Sequence, residues 1–189
     1  EVQVQFPVAN VRANLPTLAS TVSGNLFDLG EATGMRLERV DLPKAYRAQF
    51  LMPGQGVAGT RAAIGRHDGA LIGTIIKPNV GLSPEETAQV VQTLCEAGVD
   101  FIKDDEICAN PAHAPLEQRI PAVMRVVRAH REKTGKNGMI AFNISDETCA
   151  MQRHLDLIDA EGGNCAMVSM NWCGFSALET LRRSTDIAL

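Results

Sequence analysis

From Gly69 onward the chain repeats one pattern: a short apolar run, then a longer amphipathic stretch, then a glycine. Ala70–Ile76, Val99–Lys103, Gly138–Ile144 and Cys165–Asn171 are the apolar runs, the first of them continuous enough for a strand buried on both faces. Between them lie helix signatures. Ser83-Pro84-Glu85-Glu86 combines an N-cap serine, a first-turn proline and a capping-box glutamate, and that helix runs to about Ala97 before Gly98. Pro115 to Lys133 is amphipathic and stops at Thr134-Gly135; Asp146–Glu161 stops at Gly162-Gly163; Ser176–Thr185 follows, and Ile187-Ala188-Leu189 reads as a further strand beginning. Strands alternating with helices mean βαβ units and a parallel sheet.

An open doubly wound sheet and a (β/α)8 barrel both fit this rhythm. No strand leads into a GxGxxG turn, so the dinucleotide fingerprint is absent. Each strand instead ends in chemically useful residues: Lys77, then Lys103-Asp104-Asp105-Glu106, then Asn143, then Asn171. Barrel active sites are built at those carboxyl ends, which favours the barrel. A whole barrel needs eight units and usually about 250 residues. About four and a half units are visible, so the sequence reads as a fragment of a longer protein.

The segment before the barrel is different. Residues 2–6 (VQVQF) alternate as a half-buried strand does, Leu15–Val22 has a helical pattern, and Met35–Val40 reads as a second strand. The expected organisation is the end of an α+β domain over 1–50, a glycine-rich linker over 51–69 with at most a short helix at Gly59–Ile64, and half of a parallel (β/α)8 barrel over 70–189.

Charge and composition exclude several functions. A net charge of −4 argues against a nucleic-acid surface. No apolar run reaches the ~18 residues of a membrane span, and EVQVQFPVAN lacks the basic and apolar regions of a secretory leader. The five cysteines are odd in number and show no CxxC spacing; most sit in apolar runs as small buried hydrophobes, and a reducing cytoplasm is the expected compartment.

The densest chemistry is VDFIKDDEIC, residues 99–108. Adjacent carboxylates Asp105 and Glu106 at a strand end suit Mg²⁺, which takes one or two carboxylates plus other oxygens. Alternation directs Lys103 and Asp105 to the same side. A lysine beside a cation makes sense if its neutral amine has captured CO2, since a carbamate supplies a third anionic ligand. Other candidates are weaker. His113 reads as a surface loop residue, His130 and His154 as solvated, and Trp172 as a sugar-site wall or a core residue; Cys108 and Cys173 have no histidine at nucleophile spacing.

Two motifs carry a family resemblance. GTIIKPNVGLS (73–83) resembles the strand-1 segment G-x-T-x-K-P-K-x-G-L-S of the ribulose-bisphosphate carboxylase (RuBisCO) large-subunit superfamily, and GVDFIKDDE (98–106) resembles its strand-2 segment G-G-x-D-F-x-K-D-D-E. Gly24-Asn25-Leu26-Phe27, Arg36-Leu37 through Pro43 and Ala141-Phe142-Asn143 extend the match over essentially the whole chain. The resemblance implies a ferredoxin-like α+β domain before the barrel and a site with Mg²⁺ on Lys103 (as carbamate), Asp105 and Glu106. It implies that Lys77 handles protons at the enolised carbon, with Asn25, Asn143 and Asn171 on the substrate side. Asn25 would reach the site of the neighbouring subunit in a homodimer or higher homo-oligomer. Lys77 and Lys103 are the implied catalytic residues.

Departures point to the RuBisCO-like branch. Asn79 stands where the family has its second lysine, Ile75 where it has threonine, and Met170-Asn171 with a single Gly174 where carboxylases carry a His-Asp pair and a double glycine. The implied function is a Mg²⁺-dependent lyase or isomerase that enolises a phosphorylated keto-sugar or keto-acid without fixing CO2. A transcarboxylase/hydrolase or decarboxylase of the 3-oxo-isoapionate 4-phosphate type is one form of it. An authentic carboxylase large subunit and a silent or truncated interaction module are the alternatives.

Overall fold

The computed structural model describes residues 2–25 and 28–189. These divide into two compact units, one up to Met52 and one over Pro53–Leu189. In the first, a 3-10 turn at Val8–Asn10 precedes helix α1 (Leu15–Ser23), capped by Asn14, whose Oδ1 accepts the Thr17 N–H at 2.8 Å. A single turn, α2 (Lys44–Arg47), buries Tyr46, which meets Phe50 edge-on. The alternating segment 2–6 and the segment 35–40 are not strands. A strand needs a ladder partner, and none of the described residues pairs with either; Val2, Val4, Met35 and Leu37 stay exposed.

In the second unit α3 (Gly56–Ile64) lies inside the expected linker, starting three residues before the short helix expected there and ending at Gly65 in the left-handed region. Then come β1 (Gly73–Ile75), α4 (Pro84–Glu96), β2 (Phe101–Lys103), α5 (Leu116–Thr134), β3 (Met139–Asn143), α6 (Thr148–Ala160), β4 (Cys165–Met167) and α7 (Met170–Ser184). The capping box at Ser83 forms as the sequence predicts. The four strands are parallel and lie in sequence order, Ile75 beside Lys103 and Lys103 beside Ala141. Ala188 makes a parallel bridge to Cys165 where the next strand is expected.

Alternation sorts the strand side chains into two layers. Ile102, Ile140, Phe142 and Ala166 pack under α4 to α7 with Val91, Leu116, Ile120, Val123, Leu155 and Leu181. Met139, Ala141 and Cys165, with Phe101 and Met167 at their margin, face the other way and meet Ile64 of α3. Lys103 and Asn143 have the parity of this second set. At the amino ends of the strands Asp100 accepts the Ile72 N–H (2.8 Å) and pairs with Arg66 (2.9 Å), and Asn164 donates to the Gly138 carbonyl (3.1 Å). Burial of Asp100 raises its carboxyl, but the Ile72 N–H and Arg66 outweigh that and hold it below the usual range.

Four expectations need correction. β1, expected to be buried on both faces, is the end strand of the described four-stranded sheet, with Ile72 and Ile75 exposed. The fourth strand stops at Met167, and Asn171 lies in the first turn of α7, which Gly174 (φ 81°) then kinks. His154 is buried, 3.3 Å from Glu117 across the α5–α6 contact, while Trp172 is 83% exposed. Only Cys95 and Cys165 among the five cysteines are buried; the apolar run around Cys149 belongs to an amphipathic helix whose outer face carries it.

Candidate active site at the strand ends

Beyond β2 the chain carries its charges to opposite sides in turn. Lys103 donates to Glu106 Oε1 (2.8 Å) and to the Asp104 carbonyl (3.0 Å). Asp104 turns toward the helix layer and is buried against Arg119 of α5. Asp105 returns, accepting from Lys77 Nζ at 2.6 Å and from the Ile107 N–H at 3.2 Å. Lys77 follows β1 by two residues, so neighbouring parallel strands deliver their lysines to one end of the sheet.

Asn143 closes the arrangement from β3. Its amide donates to the carbonyls of Asp105 (3.1 Å) and Glu106 (3.0 Å), and its Oδ1 accepts the Ser145 N–H (3.1 Å). It is fully buried, so both amide hydrogens serve to hold the carboxylate loop. Among the implied site residues the structure therefore gathers Lys77, Lys103, Asp105, Glu106 and Asn143. Asn171 sits on α7 and makes no hydrogen bond to them. Asn25 belongs to the first unit, in the turn after α1; Leu26 and Phe27 of its motif lie outside the described residues. His113, exposed as expected, accepts the Gly81 N–H (3.2 Å), linking the loop after β2 to the loop after β1.

Electrostatics favour anions here. The Lys77 ammonium holds the Asp105 carboxyl below the usual carboxylate range, assisted by the Ile107 N–H. Lys103 and a backbone N–H do the same for Glu106. Asp104 is shifted the other way: burial pushes its carboxyl up against the pull of Arg119 and of the Asn143 N–H. Sequence reasoning missed the Asp104–Arg119 pair; its available signal was parity, since Asp104 alternates out of the side shared by Lys103 and Asp105.

Asp105 and Glu106 are oxygen donors of the kind a hard cation takes, each here paired with a lysine. Two ionised carboxylates stand on one loop with the Lys103 amine in contact with one of them. Among the described residues no three His, Cys, Asp or Glu side chains gather, so the anions present are Asp105 and Glu106, and a carbamate on Lys103 would add a third.

Successive parallel βα units with lysines and carboxylates at the carboxyl ends of the strands place the chain in the class of (β/α)8-barrel proteins. Residues 56–189 match the family model "Ribulose bisphosphate carboxylase large chain, catalytic domain", and the chain belongs to that family. It is 45% identical over 187 residues to a 3-oxo-isoapionate-4-phosphate transcarboxylase/hydrolase of Xanthobacter autotrophicus, covering 99% of this chain and 45% of the relative. It is 40% identical over 190 residues to a 3-oxo-isoapionate-4-phosphate decarboxylase of Rhizobium etli, covering 100% of this chain and 46% of the relative. A rubisco-like protein from Burkholderia fungorum superposes with a TM-score of 0.94 at 63% identity, covering 96% of this chain and 45% of that one. The chain thus spans about half the length of the relatives it matches. Among the described residues no helix is long and apolar enough to cross a membrane.

Proposed function

We propose that the whole protein is a RuBisCO-like enzyme acting on a phosphorylated keto-acid of the 3-oxo-isoapionate 4-phosphate kind, by carboxyl transfer with hydrolysis or by decarboxylation, without fixing CO2. The observation that carries this reading is the meeting of Lys77, Asp105, Lys103 and Glu106 at the carboxyl ends of adjacent strands. The names of the two curated relatives support the substrate class. Asn79 and Ile75, in place of the lysine and threonine of carboxylases, support the loss of CO2 fixation.

Mg²⁺ would be held by Asp105, Glu106 and carbamylated Lys103, and supplies Lewis-acid stabilisation of negative charge developing on a substrate oxygen. The protein's own part is positional and protonic. Asn143 fixes the loop that presents the two carboxylates. Lys77, 62% exposed and paired among the described residues with Asp105, is the group placed to turn toward substrate and move a proton at the carbon beside the ketone. The working assembly is a homo-oligomer in which Asn25 serves a neighbouring subunit, as the family resemblance implies.

The test uses the full-length protein with Mg²⁺ and bicarbonate. Incubation with 3-oxo-isoapionate 4-phosphate, followed by ¹³C NMR, should show the substrate carboxyl signal consumed, its carbon appearing as CO2 or bicarbonate on decarboxylation or in a product carboxylate after transfer and hydrolysis. Ribulose bisphosphate with labelled bicarbonate should give no acid-stable label. Turnover of ribulose bisphosphate with no reaction of the keto-acid would sink the proposal in favour of a carboxylase.

A further inference from the structure

Arg119 has no role in the chemistry described so far, yet it is the largest fully buried side chain of the second unit. Its guanidinium is shut away from solvent and shared among several acceptors. One terminal nitrogen donates to the Ala114 carbonyl (2.6 Å); the other donates to Asp104 Oδ2 (3.1 Å) and to the carbonyls of Cys108 (3.3 Å) and Ala109 (2.6 Å). All four acceptors lie on the loop between β2 and α5. Asp104 Oδ2 in turn accepts the Asn143 N–H of β3 at 3.0 Å. One planar cation therefore ties the two ends of the loop to each other, to α5 and to the neighbouring strand.

Such a pair is a poor way to gain stability, because burying two charges costs about what their attraction returns. Arg119 Nε is buried without a hydrogen-bond partner, so the cation is not fully satisfied either. What the fork does supply is geometry: a guanidinium fixes several acceptors in one plane, which a lysine ammonium does not. The segment it fixes carries Asp105 and Glu106.

We infer that Arg119 and Asp104 form a buried positioning pair that sets the loop presenting Asp105 and Glu106. The pair touches no reacting atom. It rests on the proposed metal site for its purpose, but its structural consequence is measurable without a metal. The amides of Ile107 and Cys108 report the loop directly, since they bond to Asp105 Oδ1 (3.2 Å) and to the Asp105 carbonyl (3.1 Å).

The test uses the full-length protein, Arg119→Lys, and the double variant Arg119→Met/Asp104→Leu, which removes both charges together so that neither is left buried without its counter-charge, while the three loop carbonyls and the Asn143 N–H lose their partner. Native-state hydrogen exchange and Mn²⁺ affinity by electron paramagnetic resonance, without substrate, are the readouts. Both variants should exchange Ile107 and Cys108 at least about tenfold faster while core amides such as Val91 keep their protection, which separates local loosening from global destabilisation. Mn²⁺ affinity should fall by about tenfold or more, the range typical when an outer partner of a metal ligand is lost. If Arg119→Lys does not fold, the double variant decides. A folded double variant with parental exchange at both amides and parental Mn²⁺ affinity overturns the inference. Asp105→Asn is the control for the metal reading. If it binds Mn²⁺ as the parent does, the proposed metal site fails, and the exchange data alone decide the positioning pair.

Discussion

Asn143→Ala removes three hydrogen bonds at once from a side chain that is itself fully buried: two to the Asp105 and Glu106 carbonyls and one from the Ser145 N–H. A buried hydrogen bond contributes about 1 kcal/mol net, and an orphaned buried group costs up to about 3 kcal/mol. Three bonds with partial relief by entering water give an expected loss of about 3 kcal/mol. Asn143→Asp keeps the acceptor for Ser145 but turns a carboxylate oxygen toward two carbonyls. It should be worse than alanine at neutral pH. Its carboxyl is raised in the folded state, so the penalty is full above that raised value and is relieved as pH falls from it toward the ordinary carboxylate value of about 4. The assay is urea unfolding of the full-length protein at pH 7.5 and pH 5, with the slope checked for constancy. A loss under about 1 kcal/mol for alanine, or an aspartate variant as stable as alanine at both pH values, would show that the amide is not what holds the loop.

The remaining predictions are shorter. Asp105→Asn should weaken Mg²⁺ binding by about tenfold or more, since affinity for a hard cation follows its anionic oxygens; Lys103→Ala should be nearly as damaging, and bicarbonate should enhance Mg²⁺ binding in the parent only, all measurable by calorimetry on full-length protein. Asp105 and Glu106 have folded carboxyls below their ordinary values, so their pairing stabilises the fold above the ordinary carboxylate range and is lost as pH falls through the lowered values. An Asp105→Asn/Glu106→Gln variant should lose less stability than the parent in that acid range; equal acid profiles would refute the pairing. Burial pushes the Cys165 thiol up to about 12, whereas Cys149 is exposed. Native thiol labelling followed by peptide mapping should find Cys149 modified early and Cys165 only on unfolding.

The barrel half was legible because each of its signals is local. Ser83 and Glu86 cap a helix through residues three apart, and Gly135 ends another by adopting a positive φ. The segment 2–6 has an equally clear alternation and is no strand, because pairing is a property of two segments and one of them cannot be read from the other. β4 was drawn too long for a similar reason. Met167 and Met170 are both apolar, but only the first lies in the ladder, and the helix begins before the polar residues that seemed to close the strand. At the site, Lys103 and Asp105 were readable from residue type and parity, and Glu106 and Lys77 from their places at strand ends and from the family resemblance. Arg119 was not, because nothing in LEQRIPAV distinguishes a solvent-facing arginine from one turned into the loop below. His154 failed likewise: the polar residues around it gave no sign that it faces α5.

The strands of this sheet are three to five residues long, and their two ends are charged in different ways. At the amino ends, Arg66, Asp100 and Asn164 stitch backbone to backbone; at the carboxyl ends, two lysines and two carboxylates stand roughly 10 Å away along the strand. That separation divides the mutational landscape. Substitutions around Asp100 should move the melting temperature and leave kinetics alone, while substitutions around Asp105 should reach metal binding and kinetics as well as stability. Selection can then exchange the chemistry at one rim without renegotiating the foundation at the other. A lineage that changes its reaction in this way keeps its architecture, and its members remain superposable long after they have ceased to share a substrate.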